Sequence, residues 1–309
     1  MSTATAPKTS ALTPTVIFCL ISVYIVWGST YLAIDYTLET MPPLVMTGMR
    51  FLAAGLILVT FLLFRGHTLP TGRQWLNCAL IGGLMQGGCV GGIAIAQQSI
   101  SSGLASVGIA TVPVWVVLMI GLYTRKWPNK LEILGISFGM IGVILLEIQG
   151  GVSGASKGAI IIVVAAISWS LGSVLSQHLK LPKGPMAYAG EMLAGGTLVT
   201  IAGFARGERF HGMPDTAAWL GWGYLVLAGS LLAYSAYMYL LSNVRPSLAT
   251  SYTLVTPGVA VVLGAWLLSE DIDVYTVLAV LTVLVAIWFI FKGKEAKSTT
   301  ANGEEVRDS

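Results

Sequence analysis

Two ionisable residues sit deep inside apolar runs of this sequence: Arg50, in PPLVMTGMRFLAAG, and Glu191, in GPMAYAGEMLAGG. A charge within a bilayer is costly, so such groups are functional candidates by default. In one reading each charge lines a polar cavity and contacts substrate, water or a proton. Either can instead be held by helix-end dipoles or hydroxyls and only fix packing, and an arginine stem can carry its head to the interface. The accompanying aromatic and amide residues suit a small amphipathic molecule: Trp27, Trp169, Tyr234, Tyr237 and Tyr252, with Gln86. Tyr234 and Tyr237 share a helix face at i, i+3. Tyrosines there can form a pocket wall with hydroxyl handles, or simply a packed core. Pro113 and Pro257 lie deep in long apolar runs and free the carbonyls of Ile109 and Thr253. A free carbonyl at membrane depth needs a partner or a cavity, and Thr111, Thr253 and Thr256 are close enough in sequence to help. The two prolines therefore mark structural kinks or hinges beside a site.

Other chemistry is missing. The sequence has no G-x-x-x-x-G-K-[ST] phosphate loop, no H-E-x-x-H and no Cys/His cluster, so no catalytic residue, metal or cofactor is expected. His67, His178 and His211 fall at predicted membrane edges, and Cys19, Cys78 and Cys89 read as buried small hydrophobes. A membrane enzyme acting on lipid-linked substrates would need an acidic or histidine cluster at one face. Glu270, Asp271 and Asp273 form the one such cluster and read as a solvated loop. A channel would need a polar ring at a constriction, which one arginine and one glutamate do not make.

The elements that position these residues are membrane helices. The composition is 55% hydrophobic and 10% charged, with a mean hydropathy of +0.79, whereas a soluble domain carries about 25% charged residues. At about 20 residues per span, an all-α polytopic fold of ten transmembrane helices is expected: Pro14 to Ile34, Leu44 to Phe64, Gln74 to Gln98, Ser101 to Tyr123, Lys130 to Ile148, Lys157 to Leu179, Pro185 to Phe204, Ala217 to Asn243, Ser247 to Leu268 and Val274 to Phe291. The first run is read as a retained span rather than a signal peptide. With the N-terminus in the cytoplasm, thirteen lysines and arginines fall inside and three (Lys157, Arg206, Arg209) outside, Arg50 being the remaining one of seventeen. That asymmetry follows the positive-inside rule and puts both termini in the cytoplasm. The basic excess is thus topological and calls for no nucleic acid. The lipid bilayer is the expected surrounding partner.

The chain also repeats. A shift of 144 residues lays Leu104 over Leu248, Ala105 over Ala249, Pro113 over Pro257 and Trp75 over Trp219. A shift of 141 lays Arg50-Phe51-Leu52-Ala53-Ala54-Gly55 over Glu191-Met192-Leu193-Ala194-Gly195-Gly196. The expected organisation is a cytoplasmic tail 1–13, a first five-helix repeat 14–150, a second 151–292 and a polar, disordered tail 293–309. Five is odd, so the second copy enters the membrane from the opposite side. Such an inverted repeat is characteristic of secondary transporters, whose site lies between the copies. The site expected here is a cavity walled by spans one, three, four, six, eight and nine.

Six stretches carry a family resemblance: VWGSTYLAI (26–34), PPLVMTGMRFLAAG (42–55), ATVPVW (110–115), ISWSLGSV (167–174), GEMLAGG (190–196) and AYMYLLSNVRPSLATSYTLVTPGVAVVLG (236–264). They resemble the EamA family of the drug/metabolite transporter superfamily over nearly the whole chain. The resemblance implies two inverted EamA repeats, cytoplasmic termini and export of small metabolites or drugs, since relatives move amino acids, amines, nucleobase-like compounds and toxic organics. The expectation for this chain is an exporter of small amino-acid-like or amphipathic molecules in a bacterial inner membrane, with an uptake permease as the alternative and protons, through Glu191, as a candidate coupling ion. The glutamate that closes the proline helix in many such repeats stands here as Glu270, while the first copy has Lys126 in that place.

Overall fold

The computed structural model describes residues 13–125, 128–149, 156–244, 251–270 and 272–305. Lys126, Asp271, the repeat junction at 150 and the first residues of span nine (247–250) lie outside them. Ten helical spans are seen among the described residues. They are α1 Pro14–Leu38, α2 Pro43–Phe64, α3 Gly72–Ala96, α4 in two pieces (Ser102–Ile109 and Val112–Thr124) and α5 Lys130–Gln149. The second half has α6 Ser156–Ser176, α7 Pro185–Ala205, α8 running from Thr216–Tyr224 through Leu225–Leu232 to Ala233–Asn243, α9 Tyr252–Leu267 and α10 Val274–Glu305. Six of these are long and apolar enough to cross a membrane by length and composition alone. α7 is not among them, and its sequence shows why: Glu191 and a string of glycines and alanines dilute its apolar character.

Large apolar side chains such as Phe18, Phe61, Leu122 and Trp266 face outward, as a lipid-facing surface requires. Helix starts are set by local polar chemistry. Thr71 and Gln74 form a capping box at α3, and Asp215 accepts from Ala218 N at 2.7 Å at α8.

The spans pack in a pattern that betrays their symmetry. α2 lies on α7, α5 on α10 and α4 on α9, while α1 packs on α8 and α9 as α6 packs on α3 and α4. Exchanging every span for the one five places along leaves this set unchanged, as a twofold relation between the repeats demands. The α2–α7 seam shows it at atomic scale. A Cβ on Gly55 would lie 2.7 Å from Leu193 N, and one on Gly196 would lie 2.6 Å from Leu52 N. Gly55 and Gly196 are equivalent under the shift of 141, and so are Leu52 and Leu193. Small residues allow the two backbones to touch, which is how helices associate where lipid removes the hydrophobic drive.

Both repeats also carry a π-helical segment at matching places, Gly83–Gly91 in α3 and Leu225–Leu232 in α8. Such segments re-aim side chains and collect at functional sites.

Several details differ from the sequence expectations. α1 extends to Leu38, and α10 remains helical to Glu305, where a disordered tail was expected. Lysine, alanine and glutamate in KGKEAKSTTANGEE are good helix formers. α4 breaks at Ala110–Thr111, and Pro113 sits in the first turn of its second piece, whereas α9 runs on through Pro257. Thr111 does not turn to the carbonyl freed at Ile109; its hydroxyl donates to Gly108 O at 2.6 Å.

Of the three outer acidic residues, Glu270 and Asp273 are engaged at helix N-termini rather than solvated in a loop. Glu270 accepts from Ser102 N at 2.7 Å and Gly103 N at 3.2 Å, closing the N-terminus of α4 from the far end of α9. Asp273 accepts from Thr276 N at 2.7 Å and starts α10. Glu208 does the same for α2, accepting from Leu44 N and Val45 N at 2.9 and 3.0 Å. Carboxylates at helix N-termini satisfy orphan N–H groups and the helix dipole together.

Candidate substrate-binding cavity

A cavity of about 110 Å³ opens between the repeats. One water needs roughly 10–15 Å³ on this kind of measure, so there is room for a small organic molecule. α1 contributes Trp27, Thr30, Tyr31 and Ile34; α3 contributes Gln86, Cys89, Val90 and Ile93. α4 gives Ser106, Ile109, Ala110 and Val112, and α9 gives Tyr252, Thr253 and Thr256, both from beside their prolines. Trp169 of α6 and Gly229 and Tyr234 of α8 complete the ring, and α2 adds Arg50 and Phe51. The expected walls are present, together with α2, which the expectation had left out.

Each π segment presents residues to this space. Gln86, Cys89 and Val90 come from the one in α3 and Gly229 from the one in α8. Trp27 is fixed across the repeats by its Nε1, which donates to Gly229 O at 3.2 Å, and by an edge contact to Tyr252, ring centroids 4.7 Å apart. Behind that layer Tyr237 packs on Trp27 at 5.1 Å and on Tyr252 at 5.6 Å. It supports the wall and does not line the cavity.

The two intramembrane charges part company here. Arg50 is 5% exposed, so it does not reach an interface. Its Nε donates to Ser230 Oγ at 3.0 Å, and its guanidinium lies 4.9 Å from the centre of the Phe51 ring. Glu191, 3% exposed, is not among the lining residues. It sits in α7, with its backbone against Gly82 of α3.

Tyr234 joins the two regions. It lines the central cavity and also a groove of about 300 Å³ edged by Leu58, Pro185, Tyr188 and Asn243, at the end of the bundle where α1 begins. Tyr188 and Tyr234 meet with ring centroids 5.1 Å apart. Tyr234 stands between the cavity and the groove, with Tyr188 against it on the groove side. Among the described residues no group of three or more His, Cys, Asp or Glu side chains is placed to hold a metal.

A cavity at the twofold junction of two five-helix repeats can be set beside known proteins. The chain matches the EamA-like transporter family twice, over residues 14–148 and 156–292. The chain belongs to the EamA-like transporter family. Within it, the chain is 45% identical over 276 residues to the uncharacterized inner membrane transporter YedA of Escherichia coli K12, covering 89% of this chain and 90% of that one. It is 24% identical over 282 residues to the uncharacterized transporter YoaV of Bacillus subtilis, covering 87% and 94%. A crystal structure with 18% identity superposes with a TM-score of 0.63 over 89% of this chain and 97% of that one, which speaks to the fold alone. As an EamA protein the chain is a membrane transporter with two repeats.

Sequence reasoning had not found the part of Phe51 and Gly229 in the cavity, nor the capping by Glu208 and Glu270. An equivalence was available for Phe51, which stands beside Arg50 in the repeated segment. For Glu208 the signal was an acidic residue at a span end, which many solvated loops share; for Glu270 the resemblance pointed to its own proline helix, whereas it accepts from the N-terminus of α4 in the other repeat.

Proposed function

We propose that the chain is a secondary active transporter that exports small organic molecules, amino-acid-like or amphipathic, across a bacterial inner membrane by alternating access. The observation that carries this is the cavity between the two symmetry-related repeats, lined by both and edged by both proline regions. One half used in two orientations gives two mirrored states around a fixed site. The inner-membrane relative in Escherichia coli supports the location, and the lysine and arginine asymmetry supports cytoplasmic termini.

In that orientation the groove beyond Tyr188 and Tyr234 faces the cytoplasm. The two rings then form the inner barrier, and the junction of Glu270 with α4 ties the outer end. α4 and α9 are the moving parts, loosened at Pro113 and Pro257. Trp27, Gln86, Trp169, Tyr234 and Tyr252 hold the solute, Tyr237 backs that wall, and Arg50 provides its charged contact. Glu191, buried beside Tyr188 and Tyr234, is the group proposed to take the coupling proton.

The test compares efflux and resistance over a panel of metabolites and toxic organics, in cells with and without the gene. Saturable efflux of at least one compound is expected. Flux that rises linearly with concentration would point to a channel, and turnover of a lipid without flux would point to an enzyme.

A further inference from the structure

Arg50 is the one charged side chain among the described residues that line the cavity. Its nearest compensation is a neutral hydroxyl, Ser230 Oγ at 3.0 Å, and the face of Phe51. No carboxylate among the described residues shares an ion pair with it. Asp35 and Glu191 belong to helices of the same bundle but do not line the cavity. A guanidinium taken out of water and left without an anion is among the costlier arrangements in a protein interior.

The surroundings keep this cation aimed into the cavity. A Cβ on Gly229 would come within 2.8 Å of one terminal nitrogen of Arg50, so the missing side chain is what leaves the guanidinium its place. Nε is committed to Ser230, and the terminal nitrogens remain as a fork for a planar two-oxygen acceptor. Gln86, 3% exposed, lies on the same cavity. Its Oε1 is buried without a hydrogen-bond partner, 2.5 Å from where a Cβ on Gly195 would stand. Trp27, Tyr31, Phe51, Trp169, Tyr234 and Tyr252 provide flat apolar walls.

We infer that the cavity selects organic monoanions, a carboxylate held on the Arg50 fork with an apolar or aromatic body between the rings, over neutral and cationic molecules of the same shape. This rests on the transport reading above. It narrows that reading by charge: a cavity with one cation and no lining carboxylate has nothing to neutralise an ammonium group, so an amine is the disfavoured solute.

The test is exchange into proteoliposomes of the full chain, using three carbon skeletons and three end groups. The acids are benzoate, phenylacetate and 3-phenylpropionate, each compared with its carboxamide and with the amine of the same skeleton. Saturable exchange is expected for at least one acid, at least tenfold faster than for its carboxamide and amine. Arg50→Gln should shrink the preference for carboxylate over carboxamide at least tenfold. Arg50→Lys, which keeps charge but loses the fork, should fall between. If Arg50→Gln does not fold, the wild-type series decides by itself. Exchange of amines or carboxamides as fast as the acids overturns the anion inference and leaves the transport reading standing. No exchange of any of the nine compounds overturns the anion inference, and the transport reading then stands or falls by the efflux panel above.

Discussion

Arg50 in the first repeat donates from Nε to Ser230 Oγ in the second at 3.0 Å. The bond crosses the junction of the repeats and ends in the π segment of α8. It fixes the depth and direction of the cavity's charge, and Gly229, the neighbour of Ser230, leaves the guanidinium room. Gly229→Ala places a methyl group 2.8 Å from an Arg50 nitrogen and 3.0 Å from Thr30 Cγ2. The variant should stay folded, because the collision is with side-chain ends. It should lose at least tenfold in apparent substrate affinity, about 1.4 kcal/mol. Concentration-dependent flux, with a monodisperse peak in detergent as the folding control, checks this.

The α2–α7 seam makes a different prediction. Gly55→Val and Gly196→Val each push a branched side chain into the opposing backbone, at Leu193 and Leu52. Both should destabilise strongly and to similar extents, because the two sites are symmetry mates. Overpacking of this kind costs about 1–3 kcal/mol or more. The yield and thermal melting of the purified variants measure it, and a large inequality between the two would count against the twofold relation.

The equivalence behind that seam was legible in the sequence, since the shift of 141 that pairs Arg50 with Glu191 also pairs Gly55 with Gly196, but that the two helices pack on each other was not. Periodicity and repetition report which residues are equivalent. They do not report which way an equivalent pair faces. Arg50 and Glu191 look alike in one dimension, yet one lines the cavity and the other does not. A π segment widens the helical turn, so faces counted at a constant angle drift. For that reason the contribution of Gly229 was hidden, although Tyr234 was read from its position in α8. Tyr237 shares a broad face with Tyr234, but Trp27 and Tyr252 fill the space in front of it. Glu270 is acidic in sequence whether it meets water or the amides of α4.

Glu270 closes α4 through Ser102 N and Gly103 N. Glu270→Ala removes both acceptors and should cost about 1–2 kcal/mol. Glu270→Lys adds a cation at a helix N-terminus and should cost more. Melting in detergent should rank wild type above Glu270→Gln, then Ala, then Lys. Equal melting of wild type and the lysine variant would remove the cap from the account.

Glu191 is the proposed proton carrier. Glu191→Gln cannot change charge, so net flux driven by a pH gradient should fall to the level seen without one. Solute exchange between equal pools should persist in the same preparation. A variant whose flux still follows the pH gradient would transfer the coupling role elsewhere.

The central claim is that α4 and α9 part at their outer ends during each cycle. A Cβ on Gly103 would lie 3.1 Å from Val261 Cγ2 and 3.5 Å from Val261 Cα, a separation suited to a disulfide. The measurement is substrate exchange by Gly103→Cys/Val261→Cys, with Cys19, Cys78 and Cys89 replaced by serine, before and after oxidation. The account predicts that the cross-link stops exchange and that reduction restores it. A fully cross-linked protein that exchanges as fast as the reduced one would contradict it.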